Sequence, residues 1–462
     1  MNETIKTKKI STKSGNIELL FVPQLTDRQS FADYVIQPLV EFVKTAKKLD
    51  LSYIADNVIW YDDYEIKQDK STLEDEIVNG SSAIVLPGKD EYILLNTKKV
   101  AARSVSTPEV MQTMHTPKDA FGENMDANLS LIKYRIKDNS TKYENLKLGR
   151  RTKSNICLIY IENIVNDKVL DKLHKKLNEI DIDGIIDIGE LLSFISSNPF
   201  GLFPEAGICE RSDMAAGAIL EGKIILLLEG SPLALIIPKV YSEFLATKDD
   251  EYGDIYTATL SKIIRNFAML SMLLLAPLYV VIVTYKLNYL PGKYLALINE
   301  LRADVPFPPL VEILIMSYLL ELLREAIIRV PKSVGTSVSI IGAIILGDAL
   351  IKLGVISSPV MVIASISLLS SFVIPDFTIA SPFRILSYLL SIIAGIFGIW
   401  GLVIGFLLIV IILAMSKSFG VPFFAPNVPF NLSDFIKTLF FSKAVFKKRP
   451  KYLKLKDKKF RK

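Results

Sequence analysis

Histidine and cysteine are almost missing from this chain. Cys157, Cys209, His115 and His174 are the full complement in 462 residues. Two thiols at this spacing form neither a disulfide framework nor a zinc site, and they read as buried free cysteines. The histidines lack any ligand-spaced partner, which leaves no basis for a metal centre or a histidine-dependent triad. The glycines spell neither GxGxxG nor a P-loop, so no nucleotide cradle is expected. Asp181, Asp183 and Asp187 are spaced as solvated or capping acids rather than as a metal cluster. No nucleophile–base set or cofactor loop is present, and the expectation is a protein that is not an enzyme and carries no cofactor. The N-terminal stretch MNETIKTKKISTKSG also lacks the apolar run of about 7–15 residues that an export signal needs. No internal repeat crosses 266–415, which counts against a transporter built from paired repeats.

What the chain has is a divided composition. Hydrophobic residues make up 50 % and charged residues 22 %, with a net charge of +5, and the mean hydropathy is +0.35. Up to about Arg265 the sequence is mixed and polar, whereas from Asn266 to Met415 it is mostly apolar. The last twenty residues hold eleven Lys or Arg against one acid, Asp457. The expected fold class is α/β plus α-helical membrane: tandem cytoplasmic α/β subdomains followed by a polytopic transmembrane helical domain. The first α/β subdomain is expected over 1–100. A linker with an amphipathic helix follows over 101–152, then the second α/β subdomain over 153–262. The transmembrane domain of four to six helices is placed at 263–416. An SFGVP segment and a basic cytoplasmic tail occupy 417–462.

In the first half, Asn16–Val22, Ser82–Leu86 and Tyr92–Leu95 read as strands, the last two joined by a PGKD turn. Asp27–Lys48 carries apolar residues at helical spacing. Glu123–Asp138 reads as a helix whose basic residues Lys133, Arg135 and Lys137 form a solvated face or a subunit contact rather than a nucleic-acid surface. Ile156–Ile161 is a buried-strand run and Lys168–Glu179 an amphipathic helix. Ile224–Leu228 and Ala234–Ile237 are strands joined by the turn signature EGSP.

In the second half, Asn266–Tyr285 is uncharged and has the length of about 20 residues needed to span a bilayer. Gly335–Gly354 is apolar and rich in small residues that let helices approach closely. Asp348 lies in it as a pore or packing acid, or as a snorkelling end residue. Ser358–Pro375 is another span. Phe383–Met415 runs 33 residues with only Arg384 charged. It is one very long helix or two short ones joined near Gly398–Gly401. Lys262, Arg265 and the basic tail place both ends in the cytoplasm, which requires an even number of crossings. Four fit if 309–330 does not span and 383–415 is one element; six fit if 309–330 spans and 383–415 splits. The tail's place beside the membrane favours anionic lipid over DNA.

The stretch from Arg302 to Gly335 sets this half apart. It carries Glu312, Glu321, Arg324, Glu325 and Arg329, although a charge facing lipid costs about 2.5–3.5 kcal/mol at a helix centre on insertion scales. At helical spacing Glu321, Arg324, Glu325 and Arg329 share one face and Glu312 lies opposite. Glu321 and Arg324 are three apart, and Glu325 and Arg329 four apart in the favourable acid-first order. The helix lies at an interface or turns its charges into a protein or water interior. Glu312, Glu321, Glu325 and Asp348 would attract cations while Arg324 and Arg329 hold the geometry. Alternatively the pairs fix helix packing or subunit contacts.

VPFPPLVE (305–312), LLREAIIRVP (322–331) and SFGVPFFAP (418–426) resemble signature stretches of the GerA family, specifically the A-type subunit of spore germinant receptors. LEGKIILLLEGSPLALIIP (220–238) and GENMDANLSLIKYRIKD (122–138) are similar to that family's strand-turn-strand stretch and linker helix. The chain departs from the family pattern at Ile327, at LGDAL (346–350) and at ERSD (210–213). The resemblance implies a multi-pass protein of the spore inner (cell) membrane, acting in nutrient-triggered germination. It also implies partnership with a B-type transporter-like subunit and a C-type lipoprotein, with no nucleic acid, and assembly as a homo-oligomer that conducts ions when nutrients open it. The rival readings are a non-conducting membrane scaffold subunit and a secondary transporter with a regulatory domain.

Overall fold

The computed structural model describes residues 5–12, 15–45, 50–68, 73–78, 80–86, 88–97, 117, 119–198, 200–285, 291–329, 347–439 and 448–460. The chain divides into two units. One comprises 1–199, 206–238 and 447–462, and the other 200–205 and 239–446.

The first unit holds two antiparallel sheets of five strands. In one, β1 (Lys6–Thr12), β2 (Gly15–Phe21), β3 (Tyr64–Lys67), β4 (Ser82–Val85) and β5 (Tyr92–Leu95) lie in the order β1-β2-β4-β5-β3. Alternate residues of one strand point to opposite faces, and here both faces are covered. Ile17, Leu19, Ile84, Ile93 and Leu95 pack with Phe31, Val35 and Leu39 of helix α1 (28–45) and with Leu51 and Ile54 of α2 (Leu51–Asn57). Leu20, Ala83, Tyr92 and Leu94 face the other way, onto Leu73 and Ile77 of α3 (Leu73–Val78). Burial on both faces explains the unbroken apolar runs. Asp27 caps α1, accepting from the backbone and hydroxyl of Ser30.

In the second sheet, β6 (Thr141–Leu148), β7 (Ser154–Ile161), β8 (Gly207–Cys209), β9 (Ile224–Leu228) and β10 (Ala234–Ile237) lie in the order β6-β7-β9-β10-β8. The helices of this part are α4 (Met125–Arg135), α5 (Asp167–Asn178), α6 (Ile188–Ile195) and α7 (Ser212–Leu220). On α5, Val169, Leu173 and Leu177 recur every four residues and are buried, and Asn166 caps the start. Both cysteines are free and buried.

Three expectations change. Residues 141–148, assigned to the linker, form the edge strand β6 along the whole of β7; their polar sequence TKYENLKL reflects an edge position. Of the three basic residues expected on a solvated face, Lys137 is exposed, whereas Lys133 and Arg135 are engaged inside the protein. Arg135 pairs with Asp119 at 2.5 Å and bonds the Ser212 hydroxyl, while Lys133 is 7 % exposed and donates to Gln24 Oε1 at 2.9 Å. The third change concerns the basic tail, whose described part, 448–460, is folded onto the α/β unit. Arg449 is buried and donates to the carbonyls of Leu220, Asp457 and Lys459. Lys456 pairs with Asp167 at 2.7 Å, and Leu453 and Leu455 are buried. Two leucines and an internally satisfied arginine outweigh the tail's positive charge.

Lys133 lies over the Tyr143 ring, 4.8 Å from its centre. Burial pushes its ammonium down to about 8 and the Cys157 thiol up to about 12. Between about 8 and the ordinary 10.5 the folded chain therefore binds fewer protons at Lys133 than the unfolded chain. The contribution of Lys133 to stability therefore rises with pH across that window, by on the order of 3 kcal/mol. Lys133→Met is expected to exceed the wild type in denaturation midpoint at neutral pH and to lose that advantage as pH climbs through the window. An advantage independent of pH would contradict this.

The second unit is helical: α8 (Ile255–Tyr285), α9 (Gly292–Glu300), α10 (Pro309–Arg329), α11 (Ser358–Val373), α12 (Phe377–Met415) and α13 (Leu432–Leu439). Of these, α8 and α12 are long and apolar enough to cross a membrane, and α11 is a shorter apolar helix. Residues 335–346, the greater part of the expected small-residue span, lie outside the described residues, and 347–352 are helical.

Two arms, 377–397 and 399–415, make up α12. Gly398 departs from helical geometry at φ 63°, ψ −144°. Gly401 backs onto the Ile393 carbonyl and Gly405 onto Leu390, so positions counted outward from the turn meet in pairs. Lys239 bonds both ends: its Nζ pairs with Asp376 at 2.7 Å and its backbone N–H donates to Ser418 Oγ at 3.1 Å. The arms are thus antiparallel, and the split alternative for 383–415 holds. At the turn the Tyr285 hydroxyl donates to the carbonyls of Gly395 and Ile396, which the broken helix leaves open.

Candidate functional site

The charged side chains of the helical unit fall into three settings. The deepest is Glu312, in the first turn of α10, which is fully buried. Its Oε1 accepts from Arg302 Nε at 3.1 Å and Nη2 at 2.8 Å. Its Oε2 accepts from the backbone N–H of Ser357 at 2.8 Å, at the start of α11. A carboxylate at a helix start meets the positive end of the helix dipole. Glu312 therefore joins the 302–308 loop, α10 and α11, with both oxygens engaged.

The second setting lies nearer the other end of α10. Oε1 of Glu321 accepts from Arg324 Nη1 at 3.1 Å, Arg384 Nε at 3.0 Å and the Tyr388 hydroxyl at 2.7 Å. Arg324 Nη2 donates to Ser371 Oγ at 3.0 Å, and its guanidinium lies 5.8 Å from the Phe372 ring centre. One carboxylate thereby gathers α10, α11 and the first arm of α12. Leu310 fills the space beside Gly395, so α10 and that arm run in opposite directions. The bonds from Glu312 to Ser357 and from Arg324 to Ser371 make α10 and α11 parallel. A cavity of about 40 Å³ adjoins the cluster, with Met272, Ala276 and Ile313 on its apolar side.

The third setting is exposed. Glu325 pairs with Arg329 at 2.5 Å and Asp348 with Lys352 at 2.5 Å, all four side chains more than half exposed. Of the six residues singled out from the sequence, the structure pairs Glu321 with Arg324 and Glu325 with Arg329. Glu312, Glu325 with Arg329, and Asp348 each stand in separate surroundings. Sequence reasoning missed Arg302, Arg384 and Tyr388. Arg384 had a legible signal, as the lone charge in a run of 33 residues, since such a charge needs a partner. Among the described residues no group of three or more His, Cys, Asp or Glu could hold a metal ion.

A family model described as Bacillus/Clostridium GerA spore germination protein matches residues 1–452. The chain is 30 % identical to spore germination protein KA of Bacillus subtilis (strain 168), over 92 % of this chain and 78 % of that one. It is 30 % identical to spore germination protein GerQA of Bacillus cereus, over 93 % of this chain and 85 % of that one. A Bacillus subtilis relative described as the uncharacterized membrane protein YfkQ is 28 % identical over 91 % of this chain and 82 % of its own length. Among solved structures, the N-terminal domain of the A subunit of the Bacillus megaterium spore germinant receptor GerK3 is 25 % identical. It covers 52 % of this chain and 90 % of that one, with a TM-score of 0.40.

Proposed function

The chain belongs to the GerA family of spore germination proteins, and from that premise we propose that it is the A-type subunit of a nutrient germinant receptor in the spore inner membrane. In this reading it works with a B-type transporter-like subunit and a C-type lipoprotein. Copies of it assemble around an ion-conducting path that nutrients open. With 309–329 crossing and 377–415 folded back on itself, the even count required by the basic flanks is met by six passes.

The observation that carries the assembly is the exposure of Glu325, Arg329, Asp348 and Lys352 within the mostly apolar run 266–415. Lipid does not solvate such groups. A neighbouring copy or a water-filled lumen does. Glu325 and Asp348 are then the acids that cations meet, with Arg329 and Lys352 holding them. The carboxylate of Glu312, with both oxygens bonded, and that of Glu321, bonded three times through Oε1, favour packing roles over ion contact, and this same feature supports the scaffold reading as second choice.

The test is reconstitution of the full chain in planar bilayers, with copy number read by native mass spectrometry. A multimer with cation-selective conductance is expected. Glu325→Gln combined with Asp348→Asn is expected to cut the cation preference severalfold while leaving copy number unchanged. A multimer that conducts nothing, alone or with the two partner subunits and nutrient, would leave the scaffold reading standing.

A further inference from the structure

The cluster at Glu321 is unbalanced. Two guanidinium groups, Arg324 and Arg384, face one carboxylate, and among the described residues no other acid pairs with either arginine. One positive charge is left unmatched among packed helices, where an uncompensated charge is costly. The cavity beside the cluster is lined by both arginines, Glu321, Tyr388 and Ser367. The Ser367 hydroxyl is buried and has no hydrogen-bond partner, which is rare for an internal polar atom. Its volume of about 40 Å³ admits one or two particles the size of water.

These features share one remedy. We propose that this cavity binds a small monovalent anion of halide size, held by Arg324 and Arg384 with the Ser367 hydroxyl donating to it. The guanidinium surplus selects the sign, because a cation placed here would meet two like charges across a low-dielectric gap. The surplus of one charge selects a monovalent species. The volume selects a particle far smaller than a phosphodiester headgroup. Each arginine uses two N–H groups, Arg324 on Glu321 and Ser371 and Arg384 on Glu321 and Ser381, so donors remain on both forks for an acceptor. This assignment goes beyond the receptor role, since it requires neither conduction nor assembly.

The test uses the full chain in nanodiscs of zwitterionic lipid, with chloride titrated against gluconate at constant ionic strength and the melting temperature read. Chloride is expected to raise it saturably, and bromide to substitute. Arg384→Gln should weaken chloride binding about tenfold or more, the scale of one charged hydrogen-bonded contact. Ser367→Ala, which touches no ion pair, should weaken it severalfold. Glu321→Gln removes the competing carboxylate and should tighten it, a sign that a merely structural role for the cluster does not produce. Equal melting in chloride and gluconate would overturn the proposal, as would a neighbouring copy's carboxylate found to fill the cavity. Loss of the chloride effect in Glu321→Gln also counts against it. If that variant does not fold, an unchanged chloride response in Ser367→Ala overturns the proposal instead. Saturation by anionic lipid with no halide dependence would reject the small anion. Conductance is not read, so this result and the bilayer result stand or fall separately.

Discussion

Replacing Arg211 by Leu is expected to destabilise the α/β unit by about 3–5 kcal/mol, the range for breaking a buried ion pair by removing one partner. Arg211 is fully buried and its guanidinium forks onto Asp213, with Nε 2.9 Å from Oδ1 and Nη2 2.7 Å from Oδ2. The Asp213 side chain is 2 % exposed, so the single change leaves its carboxylate in the interior without the guanidinium that pairs it. Changing both residues to apolar ones should recover much of the loss, because the orphaned charge disappears with its partner. Arg211→Lys should still be harmful, since an ammonium cannot reproduce a planar fork. Arg150→Ala is the control. It breaks a pair with Asp181 whose side chains are 70 % and 63 % exposed, and the denaturation midpoint should stay where it is. Urea denaturation of the full chain, followed by a fluorophore on the α/β unit, reads all four variants. An Arg211→Leu midpoint equal to that of Arg150→Ala would show that the fork contributes nothing.

The second large effect concerns α12. Spin labels at Phe377 and Met415, both exposed, should lie within roughly 20 Å of each other, given packed helices about 8–10 Å apart and two label arms. A straight helix over the same run would hold them about 57 Å apart at about 1.5 Å per residue. Few structural alternatives differ so widely. Gly398 is the residue that allows the turn. Its backbone, at φ 63° and ψ −144°, lies close to a region open essentially to glycine, where a side chain costs of order 1–3 kcal/mol. An added Cβ would also stand 3.2 Å from the Tyr285 ring. Gly398→Val is therefore expected to broaden the distance distribution toward longer values and to lower the melting temperature. Gly401→Val should do the same for a different reason: even its first carbon would fall 2.5 Å from the Ile393 carbonyl oxygen of the opposite arm, and that backbone cannot move aside without opening the hairpin. A distance near the extended value in the wild type would remove the hairpin and with it the six-pass count.

The amino-acid sequence by itself determined the features that depend on local pattern. The strands Ile224–Leu228 and Ala234–Ile237, the apolar stripe of the amphipathic helix over Lys168–Glu179, and the division into a mixed and an apolar half all follow from periodicity and turn chemistry. Family membership rests equally on linear motifs. The edge strand Thr141–Leu148 was hidden because an edge strand of mostly polar residues carries no apolar alternation. The folding back of 448–460 was hidden because composition reports the charge of a segment and not which of its leucines find a slot. Only the tertiary structure decided that Glu321 answers to Arg384 and Tyr388, 63 and 67 residues away, and that Arg302 and Ser357 enclose Glu312. Charge partners in an apolar half are chosen by which helices meet, and α10 meets the first arm of α12 through Glu321 and Leu310. The sequence placed charges among apolar residues, and the fold determined which are matched, which are exposed and which stand in surplus.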